Sequence, residues 1–413
     1  MSGSVPRRIL GPLQELLSRA TAGAVFLIAA AAVALVWANS PLRVSYADLW
    51  GTDVVVGLGR VAIRQDLRHW VNDGLMTLFF LLAGLEIKRE LTSGELRDRR
   101  RAALPVLAAL GGMVVPALLY LVANAGHAGV PGWGMAMPTD LALVLGVLAL
   151  ASPRVPTSLK AFVVTLAIAD DVGTIVAVLV AYSHDAGAWW ALAALAVVGA
   201  VVLLRRIHVR WTPVYVVLGM CLWLAMRAAG LNPTLAGVAM GLLAPAEPYE
   251  RPAGREHDPP VARAEHLLLP WVTFAVLPLF ALANGGVELS AAPLTDPAGF
   301  RVAAGLTLAR LIGKLAGIVG VSWLAVRAGV GRLPADVRWP HLMGVGVVAG
   351  IGFTVSLFVS ELAFGGTGTL ADAARMGVLL SSVVSGAVGL VILRTVGSGG
   401  AAPTDGRATT RDT

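Results

Sequence analysis

Cysteine and charge are what this chain has least of. One cysteine, Cys221, stands among 413 residues, so no internal disulfide can form. Its place in the apolar run from Val214 to Leu224 marks it as a small buried hydrophobe rather than a reactive thiol. Charged residues make up only 14% of the chain and hydrophobic ones 57%, against about 25% and roughly 45–50% in soluble proteins. With a mean hydropathy of +0.76, that balance excludes a soluble globular protein and a disordered one. The 47 glycines follow no three-residue period, which removes a collagen-like chain. The net charge of +7 is not gathered on a face or stripe, so nucleic acid is not an expected partner. It falls instead in short clusters between apolar runs.

Ten of those runs approach the bilayer-spanning length of about 17–25 residues. They lie near 22–39, 102–125, 135–150, 159–182, 189–204, 213–229, 268–285, 302–326, 341–363 and 374–395. Two shorter runs, 74–87 and 232–244, bring the expected total to twelve transmembrane helices. The first run follows Arg7, Arg8 and Arg19 but lacks a cleavage site of small residues, and reads as a retained helix rather than a signal peptide. If the N-terminus is cytoplasmic, the inward connections hold 23 basic residues and the outward ones 7, which places both termini inside. The expected organisation is a cytoplasmic segment at 1–21, one transporter domain at 22–395, and a polar, disordered tail at 396–413.

Inside the apolar runs a charge costs at least about 2.5–3.5 kcal/mol, so each is a candidate for function. Asp170 and Asp171 sit together near the centre of a run with no other charge. Two adjacent carboxylates resist simultaneous ionisation in a low dielectric. Adjacent helix positions differ by about 100°, so one side chain can face a water-filled path while the other meets a partner. Lys314 is one of three lysines set against 29 arginines. A desolvated ammonium can lose its proton and a guanidinium effectively cannot, so Lys314 suits either a switchable or a fixed partnership with one of the aspartates. Arg310, four residues earlier, lies on nearly the same helix face and either snorkels or binds carbonyls.

Asp140 follows Pro138 and Thr139. Proline at membrane depth frees backbone groups that only protein or a polar cavity can satisfy, which suggests a discontinuous helix whose positive end Asp140 could offset. Gly344, Gly346, Gly350 and Gly352 in the eleventh run signal either close helix packing or a second break. The two runs are the middle members of runs three to five and ten to twelve. Corresponding interruptions in two halves point to an inverted-repeat transporter with its site where the broken helices cross.

Six strings then resemble the NhaA family of sodium/proton antiporters. They begin at Phe79 (FFLLAGLEIKREL), Pro138 (PTDLALVLGVLAL), Ala167 (AIADDVG), Gly230 (GLNPTLAGV), Leu277 (LPLFALANGGV) and Gly350 (GIGFTVSLF). The similarity runs from about Ala22 to Arg394. The resemblance implies an all-α membrane protein with inverted-topology repeats and two discontinuous helices crossing at the midplane. It implies electrogenic exchange of inward protons for outward sodium or lithium across a bacterial inner membrane, with no enzymatic activity and no cofactor. It makes Asp171, Asp170, Lys314 and Asp140 the translocating residues and Asp171, Asp170 and Thr139 the ligands of transported sodium. Glu86, Arg89, Glu90, Glu265 and His266 match positions tied to alkaline pH activation, and read by themselves as an interfacial charge network. Asn232 and Leu269 stand where some relatives carry histidines, and Arg310 and Glu361 are charges the family pattern does not anticipate. Membrane lipid and a second copy of the chain, docked through a short β-hairpin in residues 40–73, are the implied partners.

Two other classes fit the sequence less well. An intramembrane aspartyl protease needs its aspartates on separate helices approaching one scissile bond, whereas Asp170 and Asp171 are adjacent. A passive cation channel has no use for broken helices and a titratable lysine.

Overall fold

The computed structural model describes residues 7–398, apart from 59–60, 152–154, 183–186, 210, 247–248, 251–255, 258, 291 and 367. Most of the expected tail lies outside the described residues, as do Arg60, Arg154, Arg210, Arg251 and Arg255 among the orienting charges.

Long apolar stretches without backbone partners in lipid must close their hydrogen bonds internally, and helix is the local solution. The chain forms α1 (Arg7–Ala38), then a connection made of α2 (Arg43–Trp50) and strands β1 (Asp53–Leu58) and β2 (Val61–Asp66). The strands pair antiparallel with Asp53 opposite Asp66, and Arg64 bridges to Asp53 at 2.7 Å. There follow α3 (Met76–Thr92), α4 (Arg99–Asn124), a 3₁₀ helix Val130–Ala136, α5 (Leu141–Ala151), α6 (Thr157–Ala181), α7 (Ala188–Arg206), α8 (Thr212–Ala228) and α9 (Leu235–Leu242). The remainder comprises α10 (Pro260–Trp271), α11 (Leu277–Asn284), α12 (Pro297–Leu308), α13 (Lys314–Arg327), α14 (Trp339–Val348), α15 (Phe353–Phe364) and α16 (Thr369–Ser398). Single π-helical turns join α10 to α11 at Val272–Val276 and α12 to α13 at Ala309–Gly313, so each pair makes one continuous span.

Eight helical stretches are long and apolar enough to cross a membrane, and two bent pairs raise the number to ten. The other two of the twelve expected spans are α8, with 17 residues, and α9, with eight. Both fall short on length, so twelve is not reached on length and composition alone. The short α9 makes up for lost area by close approach: a Cβ on Gly237 or Gly241 would run into the backbone of α3 at Thr77 and Leu81.

The exterior carries Val122, Trp189, Leu195, Trp211 and Val383 exposed, as a lipid-facing surface requires, with tryptophans of the kind that settle at interfaces. Cys221 belongs to this surface. It is exposed on α8, which corrects the expectation that it packs inside: an apolar run in a membrane protein has a face toward lipid as well as one toward its neighbours. The interior, conversely, holds Asp170, Arg310 and Lys314 with no exposure at all.

Candidate functional site

The two bent pairs supply the frame. Val130–Ala136 and α5 meet at 40°, and α14 and α15 at 45°. Pro131, Gly132 and Gly134 disfavour an α-helix in the first half-span, and the narrower 3₁₀ coil there is held by two tyrosines. Tyr182 donates to the Pro131 carbonyl at 2.7 Å and accepts from the Gly134 amide, while Tyr120 donates to the Gly129 carbonyl. The second break, residues 349–352, gathers two of the glycines noted in the sequence. A Cβ at Gly352 would collide with the Pro138 carbonyl and the Arg310 guanidinium, so close packing and a broken helix are both present.

The breaks touch directly, with the Asp140 amide donating to the Ile351 carbonyl at 2.8 Å. The half-helices α5 and α15 start on opposite sides of this contact, and both present their N-termini to one carboxylate. Asp140 accepts from the Leu143 amide at 3.2 Å on α5, and from the Thr354 amide at 3.2 Å and hydroxyl at 2.7 Å on α15. It therefore caps two helices and faces the positive end of each dipole. Two half-helices converging head-on give the crossing its inverted symmetry, with α4 and α6 flanking the first break and α13 and α16 the second.

Helix α6 brings the aspartate pair alongside. Asp170 is fully buried, and its Oδ2 accepts from the Lys314 ammonium at 2.6 Å and from the Thr139 hydroxyl. The same ammonium lies 2.8 Å from the Thr139 oxygen, which is also 3.1 Å from the Ala349 carbonyl. The other Asp170 oxygen, Oδ1, is buried without a partner. Asp171 differs in every respect. It is half-buried and makes no hydrogen bond or ion pair among the described residues, yet lies within electrostatic reach of Asp170, Asp140 and Glu86 and of Lys314. No group of three or more His, Cys, Asp and Glu side chains is arranged around a metal among the described residues. A small cation here would have to complete its shell with hydroxyl, carbonyl or water oxygens, as hard cations readily do.

Glu86, Arg89 and Glu90 lie toward the far end of α3, and Glu265 and His266 on α10. Arg89 pairs with Glu265, and with Glu90 at 3.5 Å. Glu265 is buried with one oxygen unpartnered, whereas His266 is exposed. Glu86 is the member that links this cluster to the aspartates, since it interacts with both Glu265 and Asp171. Glu361 has a simple account: it pairs with the buried Arg375 at 3.2 Å, tying α15 to α16. In the sequence Arg375 is only an orienting charge and Thr354 and Ser356 only residues that follow the glycines; the structure gives each a partner. Thr354 and Ser356 follow the glycines at a helix start, where a hydroxyl is a capping signal.

The chain is similar to known proteins along nearly its whole length. The chain matches the family described as Na+/H+ antiporter 1 over residues 14–393. It is 46% identical to the Na(+)/H(+) antiporter NhaA of Acidovorax sp. (strain JS42), covering 89% of this chain and 88% of that one. It is 44% identical to Na(+)/H(+) antiporter NhaA 2 of Pseudomonas savastanoi pv. phaseolicola, at 92% and 94% coverage, and 41% identical to the NhaA of Anaeromyxobacter sp. (strain Fw109-5), at 94% and 92%. A match that spans the crossing, the aspartate pair and Lys314 alike makes this chain a member of the Na+/H+ antiporter 1 family.

Proposed function

We propose that this antiporter carries out electrogenic exchange of external protons for internal sodium or lithium across a bacterial inner membrane, with both termini cytoplasmic. The observation that supports it is the charge balance at the crossing. Three carboxylates, Asp140, Asp170 and Asp171, face two cations, Arg310 and Lys314, all drawn together by the broken helices. Asp140 is committed to helix ends and Asp170 to Lys314. Asp171 is then the one of the three carboxylates with neither a hydrogen bond nor an ion pair among the described residues, and a proton or a sodium ion can each neutralise it. One group that takes either ion but not both is the minimum an exchanger needs.

Asp171 is the carrier in this reading. Thr139 and the unpartnered Oδ1 of Asp170 serve as further sodium ligands, and Asp140 holds the crossing in register. A single carboxylate swapping one proton for one sodium ion moves no net charge. Excess proton movement needs a second carrier, and the Asp170–Lys314 pair is the candidate, because desolvation and mutual attraction act on the ammonium in opposite directions. Glu86, Arg89, Glu90, Glu265 and His266 form the accompanying network for activation at alkaline pH, with Glu86 its contact to the ion site. The chain works as a homodimer joined through the β1–β2 hairpin.

Sodium-dependent proton release from inside-out vesicles holding the purified protein tests the reading. External sodium should release protons only when Asp171 is present, and a membrane-potential dye should report net charge movement. Sodium flux with no proton counterflow would identify a channel instead.

A further inference from the structure

Each broken span ends its first half on free carbonyls. Val130–Ala136 runs out at Met135 and Pro138, and α14 at Gly350, and the C-terminal end of a helix carries partial negative charge, about half an elementary charge when fully developed. The two ends meet, and among the described residues one side chain answers both. Arg310, fully buried, donates from Nε to the Gly350 carbonyl at 3.0 Å, from Nη2 to the Pro138 carbonyl at 2.9 Å, and from Nη1 to the Met135 carbonyl at 2.8 Å and to the Ser356 hydroxyl. Ser356 in turn donates to the Met135 carbonyl at 2.8 Å. The π turn at Ala309–Gly313 carries this side chain, and Gly352 has no Cβ where the guanidinium lies.

We infer that Arg310 is the fixed counter-charge of the helix crossing, a positioning residue that neutralises the carbonyl ends of both half-helices as Asp140 neutralises their amide ends. A guanidinium suits this task, since it stays protonated and presents several donors in one plane. The crossing therefore keeps its geometry without calling on Lys314, whose ammonium is spent on Asp170 and Thr139. Because the carbonyls of Pro138 and Gly350 flank Thr139, Asp140 and Ile351, the charge acts on sodium binding through backbone placement and not by touching the ion.

The inference rests on the exchange reading, and the test separates the two. Purified wild type, Arg310→Lys and Arg310→Gln are reconstituted in liposomes, and sodium KM, maximal rate, charge moved per sodium ion and thermal midpoint are measured. Arg310→Lys keeps the charge and should hold its sodium KM within about threefold of wild type. Arg310→Gln keeps a donor but loses the charge, and should raise KM by about tenfold or more. Charge per sodium ion should be unchanged in both. Arg310→Gln with a wild-type KM overturns the inference even if its midpoint drops, because that is the behaviour of a merely structural residue. A Lys variant as damaged as the Gln variant, or both failing to fold, also overturns it, since charge would then not be the property required. Altered charge per sodium ion in Arg310→Gln would place the guanidinium in the ion path and overturn the positioning role. Folding of Arg310→Lys alone, with near-wild-type KM, supports it. If wild type itself shows no exchange, the functional reading has failed, and sodium affinity measured by radioactive-sodium binding to the purified proteins replaces KM: Lys near wild type with Gln at least about tenfold weaker supports the inference, and Gln at wild-type affinity or equal losses overturn it.

Discussion

Removing the Lys314 ammonium while keeping its bulk isolates the energy of the pair at the centre of the site. Lys314→Met leaves no large cavity, but Asp170 loses a donor at 2.6 Å and keeps only Thr139, with Oδ1 already unpartnered. Two outcomes are open to the stranded carboxylate. It can stay charged, and an uncompensated buried charge costs roughly 3–5 kcal/mol. It can instead take a proton from solution, which for a carboxyl of ordinary pKa near 3.9 costs about 4 kcal/mol at pH 7 and about 1.5 kcal/mol at pH 5. Either route gives about 4 kcal/mol at neutral pH, and only the second relents in acid. At roughly 2 °C per kcal/mol for a long chain, the unfolding midpoint in detergent should fall by about 6–10 °C at pH 7 and by less at pH 5. The double variant Lys314→Met, Asp170→Asn removes both charges and should recover most of the loss, because a neutral pair leaves no buried ion. Tryptophan fluorescence melts across the four proteins complete the cycle. A single variant within about 2 °C of wild type, or a double variant as unstable as the two losses added, would refute the argument that the pair holds these helices together.

Further expectations follow from the same geometry. Asp171→Asn should fold, melt near wild type and show no sodium-dependent proton release in vesicles, because this residue has no hydrogen bond among the described residues to lose and an amide binds neither ion as a carboxylate does. If one carboxylate set takes protons or sodium in competition, apparent sodium KM should fall by up to about tenfold per unit rise in pH until the site is deprotonated; a flat KM across that range would indicate separate sites. Lys314→Arg should preserve the pairing yet lower the charge moved per sodium ion, since arginine stays protonated, and current recordings showing an unchanged ratio would remove Lys314 from the proton path. Gly352→Ala forces a methyl against the Arg310 guanidinium and the Pro138 carbonyl, so a loss of about 1–3 kcal/mol and a raised sodium KM should appear together in melts and flux assays.

How much of this was written in the chain depends on the range of the physics involved. Hydropathy is local, so nearly every span, the polar intervals and the membrane class were legible from runs of residues. The cost of a membrane-embedded charge is also a one-residue property, and it singled out Asp140, Asp170, Asp171, Arg310 and Lys314 before any packing was known. Pro138 and the glycines at 350 and 352 announced the breaks, because their effect on the backbone is intrinsic. Partnership was not legible. Adjacent aspartates 100° apart are symmetric choices until a neighbour arrives, and only the approach of α13 decides that Lys314 belongs to Asp170 and leaves Asp171 unpaired. Three of the four partners of Arg310 are carbonyls 40 to 175 positions away, with no side-chain identity to betray them. Glu361 finds Arg375 and Cys221 faces outward through packing that other helices set, while Tyr120 and Tyr182 hold the 3₁₀ coil that Pro131, Gly132 and Gly134 favour locally. The sequence by itself determined which residues cannot rest in lipid alone; the tertiary structure decided which of them satisfy one another, because charge pairing in a low dielectric is settled by ångströms that only the packed helices set.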